Sequence, residues 1–268
     1  MSSLAMLTAT LPQLKFLIEH GKTAAERDES MGHAGDAGGS WASVLLQIHH
    51  RIKLFTVEKS WFLHFYAISV ITCLFLLYIV YGGWEKDENK MTVLALFCLH
   101  SIRRLYECMY VFKFGSSRMH IAGYIAGVVY YVVVPVTLWH EACDGKFPLF
   151  EWRAIVGVLL FVSGNLAQSY FHWVLSAEQG INHAGKKLYI FPRGFGFDFV
   201  SCPHYTAEMA LYGGLCLLVP GSVPMAALFS WVVLNLSVVA QRNHEWYWAT
   251  FPEEMKRSGR ARVLPLVW

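Results

Sequence analysis

The sequence contains six stretches of mostly apolar residues, and this pattern limits what the chain can fold into. An α-helix needs about 20 such residues to cross the hydrocarbon core of a bilayer. Only 15% of the residues are charged, against roughly 25% in an ordinary soluble domain. We therefore predict an all-α fold, a polytopic membrane helix bundle with six transmembrane helices. The predicted spans are 61–81, 92–112, 119–139, 155–175, 205–219 and 223–240.

The distribution of Lys and Arg predicts the orientation of these spans. Sixteen of the basic residues outside the spans fall on the side that holds both chain ends, and four fall on the other side. Loops rich in Lys and Arg stay in the cytosol. We expect residues 1–60 to be a cytosolic segment with a flexible linker, and 61–268 to be a membrane-embedded domain. The net charge of +3 is too small to indicate a nucleic-acid partner, and no obligate protein partner is evident.

Charged residues in the second span form a stripe along one helical face. His100, Arg103, Arg104 and Glu107 follow the spacing i, i+3, i+4, i+7, which places them side by side on a helix. Ionisable groups inside a membrane are costly, and they are functional candidates by default. One explanation is a salt bridge within the helix. The other is a cavity in which the surplus positive charge meets a phosphate or a carbonyl oxygen.

Two further polar sets lie in the fourth and fifth spans. They are Asn165, Gln168 and His172, and then His204, Glu208 and Tyr212. These side chains could hold the bundle together by hydrogen bonds between helices, or Glu208 could pair with an arginine of the stripe. Because the fourth span ends and the fifth begins on the cytosolic side, we expect both sets to lie at the same depth.

The loop 186–196 combines basic and aromatic residues with two glycines. Tyr189 and Arg193 in this loop could contact the adenine and phosphates of a dinucleotide. The chain has no G-x-G-x-x-G after a strand, no phosphate-binding G-x-x-x-x-G-K-[ST] and no clustered histidine boxes, so the sequence predicts neither a Rossmann domain nor a di-iron site. We expect no metal.

Five segments resemble the polyprenol reductase branch of the steroid 5α-reductase family. They are 57–66, 99–111, 189–194, 200–208 and 244–265, and the resemblance extends over nearly the whole chain, including 17–23. The pattern His-x-x-Arg-Arg-x-x-Glu, which begins at His100, is the feature that selects this branch. Members of the family usually have seven spans, one more than the six predicted here.

The resemblance implies a multi-pass enzyme of the endoplasmic reticulum membrane, with its active site facing the cytosol. Such an enzyme uses NADPH to saturate the α-isoprene unit of a polyprenyl lipid, which gives dolichol for protein N-glycosylation. The candidate catalytic residues are His100, Arg104, Glu107, Tyr247 and His64. The candidate cofactor-binding residues are Gln168, His172, Tyr189, Arg193, His204, Glu208 and His244.

The chemistry of the reaction bears on the immediate substrate. Hydride from a nicotinamide adds to an electron-poor double bond, and a conjugated aldehyde has one whereas an allylic alcohol does not. This chemistry favours polyprenal over polyprenol as the immediate substrate. His100, Arg104 and Tyr247 are the candidate donors to the developing enolate oxygen. Ser101, Gln168, His172 and His204 depart from the steroid-reducing members, which argues against a steroid substrate.

Other activities stay open at this point. They are a trans-2-enoyl-CoA reductase or steroid 5α-reductase of the same family, an isoprenylcysteine-type membrane methyltransferase, and a helical scaffold without enzymatic activity.

Overall fold

The computed structural model describes residues 55–82, 87–115, 117–142, 151–177, 179–181 and 187–263. Seven α-helices lie within those residues. They are α1 (Phe62–Gly82), α2 (Glu88–Tyr106), α3 (Ile121–Glu141), α4 (Trp152–Ala177), α5 (Pro203–Leu218), α6 (Val223–Thr250) and α7 (Pro252–Ser258). The strands are short: β1 (Thr56–Glu58) pairs antiparallel with β2 (Arg118–His120), and β3 (Gln179–Ile181) pairs antiparallel with β4 (Lys187–Tyr189).

Local sequence signals explain where several helices begin. The Asp87 carboxylate accepts a hydrogen bond from the backbone N–H of Lys90 at 2.9 Å and caps the start of α2. The Ser222 hydroxyl caps α6 by accepting from the N–H of Met225 at 3.1 Å. Gly221, in the left-handed region with φ 82°, allows the tight turn between α5 and α6. The predicted break between the fifth and sixth spans is thus confirmed.

In the part of the chain that the structure describes, four helical segments are long and apolar enough to cross a membrane: Lys59–Gly82, Ile121–Glu141, Trp152–Ala177 and Val223–Thr250. These correspond to four of the six predicted spans. The other two are also helical, but α2 carries too many charges, and α5, with 16 residues, is only about 24 Å long. Helix α6 continues beyond the predicted end at residue 240.

The chain divides into two compact units. Of the described residues, the first holds 55–62, 114–115 and 117–129, where β1 pairs with β2 and the rings of Trp61 and Tyr124 stand edge to face at 5.3 Å. The second holds the rest of α1 and α3 together with α2 and α4–α7. Most of the predicted cytosolic segment 1–60 lies outside the described residues, so that division stays a prediction.

Glycines bring the backbones of α4 and α5 into direct contact in the second unit. A Cβ atom built on Gly214 would lie 2.6 Å from the carbonyl oxygen of Gly157 and 2.8 Å from the backbone nitrogen of Phe161. A Cβ on Gly164 would lie 2.7 Å from the carbonyl oxygen of Ala207. Small residues allow such close approach between membrane helices. This contact sets the polar faces of α4 and α5 against each other.

Candidate active site

Arg104 of the stripe is buried, and its guanidinium group contacts side chains from other helices as well as its own. Its Nε and Nη2 atoms donate to the Tyr66 hydroxyl of α1 at 3.1 and 2.7 Å. Its Nη1 donates to Glu107 Oε2 at 2.5 Å and lies 2.8 Å from Nδ1 of His172 on α4. The same His172 nitrogen is 2.8 Å from Glu107 Oε2. One arginine thus connects three helices.

Arg103 extends the contact between α2 and α4. Its Nη1 pairs with Glu107, and its Nη2 donates to the Gln168 side-chain oxygen. Its Nε donates to Asn165 Oδ1 at 3.2 Å, and the same oxygen lies 2.9 Å from Nδ1 of His100. Both arginines therefore form the salt bridge with Glu107 that the stripe predicted as one possibility.

Helix α5 completes the arrangement. Glu208 accepts a hydrogen bond from Gln168 Nε2 at 3.0 Å, and the ring of His204 lies 5.7 Å from that of His172. The polar sets of α4 and α5 meet at one depth, as their spacing predicted. Glu208 reaches the arginines through Gln168 rather than by a direct ion pair. Two arginines and two glutamates then share one buried region, so the surplus positive charge expected from the stripe is offset.

We call this region the intramembrane polar cluster. Its members are Tyr66, His100, Arg103, Arg104, Glu107, Asn165, Gln168, His172, His204 and Glu208. Buried charges persist only when they are paired and hydrogen-bonded, and these contacts meet that condition. The same bonds hold α1, α2, α4 and α5 together, so the cluster also has the structural role that the sequence left open.

A π-helical segment, Glu107–Val111, follows α2 at the cluster. The backbone N–H of Phe112 bonds to the carbonyl oxygen of Glu107 at 2.8 Å, which spans five residues rather than four. Such segments occur frequently at functional sites. The Ser176 hydroxyl of α4 donates to the Val111 carbonyl oxygen and fixes the end of this segment.

A second group, which we call the aromatic–basic cluster, lies where the loop before α5 meets the end of α6. It consists of Tyr189, Phe191, Arg193, Trp246, Tyr247 and Arg260. The Arg260 guanidinium carbon lies 3.8 Å above the Phe191 ring centre, and Tyr247 stands perpendicular to Phe191 at 5.9 Å. Tyr189 meets Trp246 edge to face at 5.3 Å. The exposed Arg193 lies 5.9 Å from the centre of the Phe191 ring.

Arg260 is buried with part of its hydrogen-bonding capacity unused. Its Nη2 donates to the Pro192 carbonyl oxygen at 2.6 Å. Its Nε and Nη1 atoms are buried, and neither has a hydrogen-bond partner among the described residues. Burial also lowers the pKa of this guanidinium, because its charged form loses contact with water. An anion beside Arg260 would satisfy both unused donors.

Two predicted site residues, Tyr247 and His244, make their contacts outside the stripe. Within the described residues, no hydrogen bond or ring contact joins Tyr247 or His244 to His100, Arg104 or Glu107. His244 instead lies 2.7 Å from the Ser201 hydroxyl, and its Nε2 accepts from Trp248 Nε1 at 3.1 Å. The remaining catalytic candidate, His64, is half-buried in the first turn of α1.

Sequence reasoning did not single out Tyr66 or Arg260. Tyr66 resembles any other aromatic residue of an apolar span, and only its spacing to a charged partner on another helix distinguishes it. Arg260 falls within the resembling tail segment, but among several basic residues nothing in the sequence marks it as the buried one.

The membrane helices enclose a network of ionised groups and carry a separate cluster of basic and aromatic side chains. This arrangement is typical of a membrane-embedded enzyme. A family model described as 3-oxo-5-alpha-steroid 4-dehydrogenase matches residues 117–268. The chain belongs to this family, and it is an oxidoreductase that acts on a CH–CH group. The match begins after the stripe but includes α4, α5 and the aromatic–basic cluster.

Similar proteins come from plants and animals. Polyprenal reductase 1 of Oryza sativa subsp. indica is 29% identical, over 80% of this chain and 80% of its own length. Polyprenal reductase 1 of Arabidopsis thaliana is 29% identical, over 82% of this chain and 84% of its own. Polyprenal reductase of Homo sapiens is 28% identical, over 81% and 79%. These similarities give no support to the methyltransferase and scaffold alternatives.

Proposed function

We propose that this enzyme uses NADPH to saturate the α-isoprene double bond of a polyprenal, as a step in dolichol formation. The intramembrane polar cluster is the observation that carries the proposal. It holds the guanidinium groups of Arg103 and Arg104 and further hydrogen-bonding side chains on helices that a long polyprenyl chain can approach from the lipid. The similarity to polyprenal reductases over about four fifths of the chain supports the substrate. The test is NADPH consumption by the purified enzyme with a short polyprenal, compared with an enoyl-CoA and with a 3-oxo-4-ene steroid.

The side chains present fit a dinucleotide phosphate. Phosphates require cationic N–H donors, and Arg260 offers two that are buried and unused, with the exposed Arg193 on the same Phe191 ring. An adenine requires flat apolar surfaces, which Tyr189 and Trp246 provide. The Nδ1 atom of His204 is buried and has no hydrogen-bond partner in the described part of the chain; it could bond to a polar group of the cofactor.

When bound, NADPH supplies the hydride, and the residues of this chain stabilise the charge that builds up on the carbonyl oxygen of the substrate. Arg104 contributes its positive charge, since its N–H groups are bonded to Tyr66, Glu107 and His172. The Tyr66 hydroxyl accepts two bonds from Arg104, so the polar function it has left is donation of its proton. A donor held in place before the reaction is worth more than one that must reorganise.

Replacing Arg260 by glutamine should weaken NADPH binding about 10- to 150-fold, since a lost charge-assisted hydrogen bond costs about 1.5–3 kcal/mol. The glutamine amide is two bonds too short to replace the Nη2 bond to the Pro192 carbonyl oxygen, so the thermal unfolding midpoint of the variant is measured as well. Arg257→Gln is the matched control, because Arg257 is exposed on α7. The measurement is a titration of NADPH against each variant in nanodiscs. Equal affinities for both variants would remove Arg260 from the cofactor site.

We propose that the enzyme lies in the endoplasmic reticulum membrane, as its resemblance to the family implies. The sixteen-to-four imbalance of Lys and Arg supports an orientation with both clusters facing the cytosol. A glycosylation tag after Trp268 should therefore stay unmodified. The same tag inserted with spacers into the loop 143–150, on the predicted luminal side, is the positive control. Glycosylation of the C-terminal tag would contradict the orientation.

A further inference from the structure

One nitrogen of His100 has no bonding partner, although the histidine is deeply buried. His100 is 1% exposed, and its Nε2 atom is buried without a hydrogen-bond partner in any described residue. The Phe97 ring stacks on the imidazole at 5.7 Å, and the Phe161 ring meets it edge to face at 6.4 Å. Leaving a buried polar atom unpaired is costly, which makes this nitrogen a candidate for a ligand contact.

The neighbours of His100 determine which nitrogen carries the proton. Asn165 donates through Nδ2 to the Phe161 carbonyl oxygen at 2.9 Å, and its Oδ1 accepts from Arg103 Nε at 3.2 Å. If the amide were flipped, the Asn165 oxygen would face the Phe161 carbonyl oxygen, and the Asn165 nitrogen would face the Nε donor of Arg103. The Asn165 oxygen therefore faces His100 Nδ1 at 2.9 Å. Because that oxygen can only accept, Nδ1 carries the hydrogen.

It follows that Nε2 holds a lone pair, because a neutral imidazole has one protonated nitrogen. A second proton would place a third positive charge beside Arg103 and Arg104. Arg103 Nη2 is also 3.3 Å from Nδ1 and has one N–H left after its bond to Gln168. The 2.9 Å contact with Asn165 is the shorter of the two, and it determines the position of the proton. The contacts thus make His100 an acceptor, where the sequence had suggested a donor to the enolate oxygen.

We propose that His100 Nε2 accepts a hydrogen bond from an N–H or O–H group of a bound ligand, so that His100 positions this ligand rather than protonating the substrate. This inference rests on the proposed function. The carboxamide of the nicotinamide ring carries the required donor. The terminal hydroxyl of a polyprenol would carry it as well, if the enzyme bound the alcohol in place of the aldehyde. The aldehyde oxygen of a polyprenal has no hydrogen and cannot make this bond.

A pair of variants separates the two nitrogens of His100. The amide of asparagine can reach the position of Nδ1 and keep the bond to Asn165, but it leaves no atom at the position of Nε2. The longer glutamine restores an acceptor near Nε2. We expect His100→Asn to weaken binding of the donor-bearing ligand about 5- to 150-fold, and we expect His100→Gln to recover much of that loss.

Binding is measured in nanodiscs with four probes. These are NADPH, its 3-acetylpyridine analogue, whose acetyl group has no N–H, and a polyprenol and polyprenal of equal length. A loss for NADPH but not for the analogue supports the carboxamide as the donor. A loss for the polyprenol but not for the polyprenal supports the hydroxyl.

Three outcomes would overturn the inference. Unchanged affinities in His100→Asn would show that no ligand bonds to Nε2. Equal losses for all four probes would show that His100 only holds the structure together. If the unaltered enzyme binds neither NADPH nor its analogue, the proposed cofactor is wrong as well. A failure that concerns His100 alone would leave the unaltered enzyme able to bind NADPH.

Discussion

Replacing Arg104 by lysine is expected to lower kcat/KM about a hundredfold while the enzyme still accumulates in the membrane. Lysine keeps the positive charge beside Glu107, but one ammonium group cannot also make both bonds to Tyr66 and the contact with His172. Hydrogen bonds from charged groups contribute about 1.5–3 kcal/mol each, and 1.4 kcal/mol corresponds to about tenfold in rate. The measurement is steady-state kinetics of the purified variant with polyprenal and NADPH.

Two comparisons make this prediction specific. Arg257→Lys changes an exposed arginine in the same way and should behave like the unaltered enzyme. Arg104→Ala should in addition lower thermal stability, because breaking a buried ion pair costs about 3–5 kcal/mol. Normal turnover of Arg104→Lys would show that the stripe is structural and that the chemistry takes place elsewhere.

Replacing Gly214 by alanine is expected to abolish most of the activity by pushing α4 and α5 apart. The added methyl group would lie 2.6 Å from the Gly157 carbonyl oxygen and 2.8 Å from the Phe161 nitrogen. Both are backbone atoms, so a side-chain rotation cannot relieve the clash. Overpacking typically costs about 1–3 kcal/mol. The shift should also break the bond between Gln168 and Glu208, which spans the two helices.

The neighbouring glycine provides the matched control. A Cβ on Gly213 would meet the Phe229 ring at 3.6 Å, an ordinary contact, so Gly213→Ala should keep near-normal stability and activity. The measurements are the thermal unfolding midpoint of both variants and their rate of polyprenal reduction with NADPH. A Gly214→Ala protein with an unchanged midpoint would show that the α4–α5 contact can relax without loss.

The helices could be predicted from the sequence because length and apolarity are local properties of a segment. The end of α6 was missed because its last part carries Gln241, Arg242 and Asn243. A helix that leaves an apolar environment can continue with polar side chains, and the hydropathy pattern records only the apolar part. Helix α5 was found despite its shortness, because Pro, Gly and Ser at 220–222 separate its apolar stretch from the next one.

The candidate site could be predicted only as separate stripes. Spacing places His100, Arg104 and Glu107 on one face of a helix, but it does not say which helix that face meets. The hydrogen bonds from Arg104 to Tyr66 depend on tertiary packing. So does the position of Gln168 between Glu208 and Arg103, where the sequence had suggested a direct ion pair. Tyr247 was assigned to the active site by resemblance. The structure shows its ring contact with Phe191, and its catalytic role stays a prediction.

The central claim is that the enzyme delivers hydride from NADPH to the α-isoprene double bond of a polyprenal. The most direct measurement uses purified enzyme, a short polyprenal and NADPH that carries deuterium at the transferred position of the nicotinamide ring, with mass spectrometry of the lipid product. We predict one deuterium in a saturated α-isoprene unit, with the aldehyde retained. Deuterium at the carbon of the former aldehyde group would contradict the proposal. Reduction of an enoyl-CoA without any labelled lipid would contradict it as well.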